Sequence, residues 1–92
     1  MARMVFEWDA AGDDAGNTSH IARHGVTPEE AEQVVGDRRN PVDRSDSSTY
    51  PITFGPTRTG KYLAVVWFAI GEDPEVVRVV TAYPVRRPQG RR

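Results

Sequence analysis

The sequence predicts an α+β domain in which two N-terminal helices pack on a small antiparallel sheet, in the order β-α-α-β-β-β. Three observations carry this. Residues 20–35 specify a corner between two helices. Residues 61–70 form an uninterrupted strand with both faces apolar. Residues 50–54 and 76–83 flank that strand across short turns, which makes a meander.

The elements follow in order. Residues 4–9 alternate weakly, and Val5, Phe6 and Trp8 give strand propensity, with Trp8 expected as a core anchor. Residues 10–16 carry Gly12, Asp13, Asp14 and Gly16 and read as a turn. A first helix runs from Asn17 or Thr18 to His24. It is short and weakly patterned, so it depends on tertiary packing.

The corner is written locally. Gly25 stands where a helix C-terminus tolerates positive φ, after Arg23 and His24 in the last turn. Thr27 and Glu30 make a capping box, Pro28 takes the first helical position, and Glu29 and Glu30 place negative charge at the positive end of the helix dipole. Ala31, Val34 and Val35 form the inward stripe, with Val26 as a staple, and the helix stops at Gly36.

Residues 37–49 are polar and predict a long loop, with Asn40-Pro41 and a patch containing Ser45, Ser47 and Ser48. The strand at 50–54 contains Pro51, which predicts an edge position. Residues 55–60 make the hairpin connection. In the strand 61–70, Tyr62, Ala64, Val66, Phe68 and Ile70 share one face, and Leu63, Val65, Trp67 and Ala69 the other. Such a strand is either covered on both sides, or covered on one and paired in an oligomer on the other. In the last strand, Val77, Val79 and Thr81 lie opposite Arg78, Val80 and Ala82. Residues 1–83 therefore read as one domain, and 84–92 as a basic C-terminal tail.

Composition narrows the function. The 92 residues allow one modest core. Cysteine is absent, so no disulfide, zinc thiolate or thiol nucleophile is available. The start of the chain lacks an apolar signal core, and the longest apolar run is too short to span a bilayer. We expect a cytoplasmic protein with no membrane partner. Residues 1–77 hold seven basic against thirteen acidic residues, whereas 78–92 hold five arginines and no acid. That asymmetry suits a phosphate or acidic partner, or else a solvated tail.

Candidate chemistry is sparse. His20 and His24 stand four apart on one helix face. They lack a third metal ligand at helical spacing and the glutamate of a zinc-protease motif, so neither metal nor cofactor is expected. They read as plain helix-end histidines, or as acid–base groups near neutral pH. The serines lack a nucleophile elbow. Lys61, Tyr62, Arg78 and Tyr83, with Arg58 at the hairpin, remain. RNA cleavage needs help for the attacking 2′-hydroxyl, a cation for the phosphate and an acid for the leaving oxygen. Lysine, arginine, tyrosine and histidine supply these without metal. Residue by residue, ordinary strand positions with solvated polar ends account for the same set.

One pattern reaches further. Phe6-Glu7-Trp8-Asp9, Asn17, His20, Arg23-His24-Gly25-Val26 and Glu29-Glu30-Ala31 resemble the N-terminal half of BrnT-type toxins. Gly55, Gly60-Lys61, the run 63–67 and Val77-Arg78-Val79-Val80-Thr81-Ala82 resemble that family's later strands, so the likeness spans about residues 5–83. The resemblance implies a RelE-like fold and the toxin of a type II toxin–antitoxin pair. It implies a metal-independent ribonuclease that inhibits translation, acting on RNA at or off the ribosome. It also implies an antitoxin partner of ribbon-helix-helix type that represses the shared operon. On matching positions it implies His24, Lys61 and Arg78 as site residues. We assign Arg78 to the phosphate, Lys61 to transition-state charge, and His20, His24 or Tyr83 to proton transfer. The sequence also departs from the family. Residues 10–16 carry no base, Thr49-Tyr50 stand at a Glu-Arg pair, Tyr83 replaces an arginine, and Pro84, Pro88 and Gly90 oppose a basic final helix. The alternative is a protein-interaction module that keeps the fold without cleaving RNA.

Overall fold

The computed structural model describes residues 4–44, 50–72 and 74–87. The serine patch and the end of the basic tail lie outside the described residues. Seven elements follow in order: β1 (Met4–Glu7), α1 (Asn17–Ala22), α2 (Pro28–Gly36), β2 (Val42–Asp43), β3 (Ile52–Pro56), β4 (Tyr62–Ile70) and β5 (Glu75–Pro84). They form an α+β domain with one five-stranded sheet in the order β1-β5-β4-β3-β2. Among the described residues, no helix is long and apolar enough to cross a membrane.

The helix corner forms as its local chemistry dictates. Gly25 adopts φ 77°, where a side chain would press on the following peptide. The Thr27 hydroxyl accepts from the Glu30 amide at 3.2 Å, and Glu30 Oε1 accepts from the Thr27 amide at 3.0 Å. Both arms of the capping box are therefore closed. In α1 the buried residues are Asn17 and Ile21. Ile21 is the single apolar side chain holding that helix to the core, and truncating it to alanine should cost about 2–5 kcal/mol.

α1 packs on β5, and α2 on β3 and β4. Ile21, Val26, Ala31, Val34 and Val35 meet Leu63, Val65, Trp67, Val77, Val79 and Ala82 in one core. Met4, Phe6 and Trp8 pack against its margin, and Trp8 Nε1 donates to Glu32 Oε2 at 2.8 Å. Trp8 is thus an anchor between β1 and α2.

Four features differ from the sequence expectation. The sheet is mixed, because β1 runs parallel to β5, with Phe6 beside Val77. The expected antiparallel sheet accounts for the other pairings. The loop after α2 contains β2, two residues that pair with Ile52 and Thr53. β3 is therefore not an edge strand along that stretch. Pro51 stands just outside it, and its carbonyl accepts from the Trp67 amide at 3.1 Å. Finally, Val66 pairs with Thr81 but Trp67 with Val79, so Val80 is an extra residue in β5. Such a bulge reverses the alternation beyond it. Ala82, fully buried, joins Val77 and Val79 on the core side, and Thr81 turns to the other face.

Both faces of β4 are apolar, but helices cover only one among the described residues. The opposite face carries Val66 and Phe68, half-buried, and Ile70, exposed.

Candidate functional site

The turn before α1 and the ends of β1 and β5 build one polar centre. Asn17 is 7% exposed and makes four bonds. Its Nδ2 donates to the carbonyls of Val79 at 3.2 Å and Glu7 at 3.3 Å. Its Oδ1 accepts from the Asp9 amide, and its own amide donates to Asp9 Oδ2, both at 2.9 Å. Asp9 thus supplies the cap that α1 lacks, since its N-cap residue is Gly16. A Cβ at Gly16 would run into the Asp9 side chain.

Arg78 completes this centre. Its Nη2 donates to Asp9 Oδ2 at 2.8 Å and its Nη1 to Glu7 Oε1 at 3.4 Å. The Arg78 bond, then the Asn17 amide, holds the Asp9 carboxyl below the usual carboxylate range. The Asp9 bond in turn raises the Arg78 guanidinium above its ordinary value. One cation faces two carboxylates here, so the local charge is negative. A phosphate approaching Arg78 would meet net repulsion.

Lys61 is engaged too. Its Nζ donates to the Gly25 carbonyl at 2.5 Å and to Glu30 Oε1 at 3.1 Å. Glu30 is 5% exposed. Burial pushes its carboxyl up, but bonds from Thr59 Oγ1 at 2.6 Å, the Thr27 amide and Lys61 outweigh this and hold it below the usual range. Glu30 therefore joins the capping box of α2 to the hairpin between β3 and β4, and Lys61 fixes both to the corner.

The histidines and Tyr83 form a row. The rings of His20 and His24 meet edge to face with centroids 5.4 Å apart, and those of His24 and Tyr83 with centroids 6.2 Å apart. His24 is exposed, while His20 and Tyr83 are half-buried. His20 also lines a depression of about 270 Å³ with Asp9, Asn17, Phe68 and Arg78. Arg78 and Tyr83 are separated by roughly 15 Å of strand at about 3.3 Å per residue. The five expected site residues therefore divide. His24, Tyr83 and Lys61 gather at one end of β5, Arg78 lies down the strand, and His20 stands between. Among the described residues, no three histidine or acidic side chains cluster as metal ligands.

Sequence reasoning had not singled out Asp9 and Glu30 as counter-ions, nor Asn17 as the joint between β1, β5 and α1. For Glu30 the capping-box pattern was the available signal. For Asp9 and Asn17 it was their place in the quoted motif. Arg86 and Arg87 follow Tyr83 and are exposed, with Arg87 lying over the Tyr62 ring at 5.4 Å. No family model matches this sequence, and no curated protein matches it either.

Proposed function

We propose that this chain acts as a BrnT-like, RelE-like toxin of a toxin–antitoxin pair, a metal-independent ribonuclease whose working end is the corner at His24 and Tyr83. The single observation that carries this reading is the contact between those two rings. The resemblance to BrnT-type toxins is most specific at His24-Gly25-Val26, and the fold brings that motif beside the tyrosine of β5. In this reading His24 carries the proton, Tyr83 orients it, and the exposed Arg86 and Arg87 hold the phosphate chain. Lys61 shapes the corner through Gly25. Arg78 positions β1, β5 and α1 and does not touch RNA. An antitoxin neutralises the protein by covering the His24 end.

The test is cleavage of messenger by purified protein, both free and in translating ribosomes. The expected result is cutting that falls by about 100-fold in His24→Ala, the usual scale for losing a proton carrier. Intact messenger in both settings sinks the nuclease reading.

A second reading, a non-catalytic interaction module, is favoured by a different observation: two cations of the expected site, Lys61 and Arg78, are bound by carboxylates. It predicts unimpaired host growth on induction of the chain, and tight binding to a protein partner.

A further inference from the structure

The face of the sheet away from the helices has a particular layout. At one end, Val5, Val76 and Ile70 lie in register across β1, β5 and β4. Val5 is 41% exposed and Ile70 57%. Phe68 and Val66 continue the apolar strip along β4, with the Tyr50 ring against Phe68 at 5.4 Å. Tyr62 ends the strip, under the Arg87 guanidinium. The charges at the two ends have opposite signs. Glu72 follows Ile70 across Gly71, and Glu7, with its side chain 57% exposed, stands beside the row of Val5. Arg86 and Arg87 stand at the Tyr62 end.

We propose that this face binds a second copy of the same chain, forming a twofold dimer in which two sheets stack with their β4 strands antiparallel. A twofold contact must be self-complementary, with the same patch on both sides. An apolar strip with acid at one end and base at the other meets that condition. Antiparallel stacking sets Ile70 and Glu72 of one copy on Tyr62 and Arg87 of the other, at the spacing of about 10 Å usual for packed sheets. Contiguous exposed aliphatic side chains rimmed by charge are the mark of an interface. Nucleic acid suits this face poorly, because Arg78 within it is bound by Glu7 and Asp9. The dimer covers Arg87, which lies over Tyr62, so it competes with the RNA path proposed above for that guanidinium. Sedimentation reads the dimer without any cleavage assay, so the two readings fail separately.

The test is sedimentation of the whole chain over a range of concentrations. The expected result is a species of twice 10.2 kDa. Ile70→Asp and Val5→Asp should each weaken it by about tenfold or more, with circular dichroism unchanged because both residues are exposed. Val42→Asp, at an equally exposed position on β2 pairing with Thr53 of the core side, should leave the dimer intact. Arg87→Glu should weaken the dimer, and adding Glu72→Arg in the same chain should restore part of it. A monomer at every concentration overturns the proposal. So does a dimer indifferent to Ile70→Asp, or a monomer that associates through this face only with added RNA or vesicles.

Discussion

Asp9 Oδ2 accepts at once from Arg78 Nη2 at 2.8 Å and from the Asn17 amide at 2.9 Å, so one carboxylate oxygen joins a cation of the last strand to the first turn of α1. This makes Arg78 part of the frame.

If so, Arg78→Ala lowers thermal stability by about 1 kcal/mol, since the pair is partly solvated. Any activity that survives in the folded variant should keep its rate. Arg78→Lys should not rescue the frame, because lysine cannot reach two carboxylates with a planar fork. Melting curves and cleavage rates on the same samples check this. A folded, fully stable, inactive Arg78→Ala would return Arg78 to the chemistry.

Asn17→Ala removes three side-chain bonds and leaves the Val79 carbonyl without its side-chain donor. We expect a loss of about 2–3 kcal/mol in denaturant unfolding. Asn17→Asp should be no better, because a second carboxylate would face Asp9 and two carbonyl oxygens. Unfolding midpoints within error of wild type would show that the joint between β1 and β5 does not need this amide.

Gly25→Ala forces a side chain into the left-handed region at φ 77°. The expected cost is about 1–2 kcal/mol, smaller for Gly25→Asn, which tolerates that conformation better. Equal stability of all three in chemical denaturation would mean the corner relaxes.

The carboxyls of Glu30 and Asp9 are more acidic in the folded chain than in the unfolded one. Their contribution is therefore present above the unfolded values near pH 4 and is lost as pH falls through the lower folded values. The contribution of these two carboxyls should be level between about pH 7 and 5 and decline below about pH 4. Glu30→Gln should flatten that acid decline. Lys61→Met should lower stability at pH 7, and by less in a Glu30→Gln background, since no buried charge is then left unpaired. Urea unfolding at a series of pH values decides it; stability that rises on acidification would contradict the sign.

The helix corner was legible because each of its signals acts over a few residues. Gly25, Thr27, Pro28 and Glu30 act on their own backbone, whatever packs around them. The alternation of residues 61–70 was legible for the same reason, and it identified Leu63, Val65 and Trp67 as a set. The candidate site was less legible. Residue type and resemblance point to His24, Lys61, Arg78 and Tyr83, and type says nothing about a residue's counter-ion. Glu30 reads as a cap in the sequence and also binds Lys61, 31 positions away.

By itself, then, the sequence determined the two helices, their corner, the three long strands and the apolar character of both faces of β4. Those follow from backbone preference and periodicity. Only the tertiary structure decided that β1 returns to lie parallel to β5, that Val80 bulges and sends Ala82 rather than Thr81 into the core, and that Asp9 meets Arg78 across 69 positions. Each of these depends on which distant strand edge is free once the core has closed. That is a property of the whole packing and leaves no local pattern along the chain.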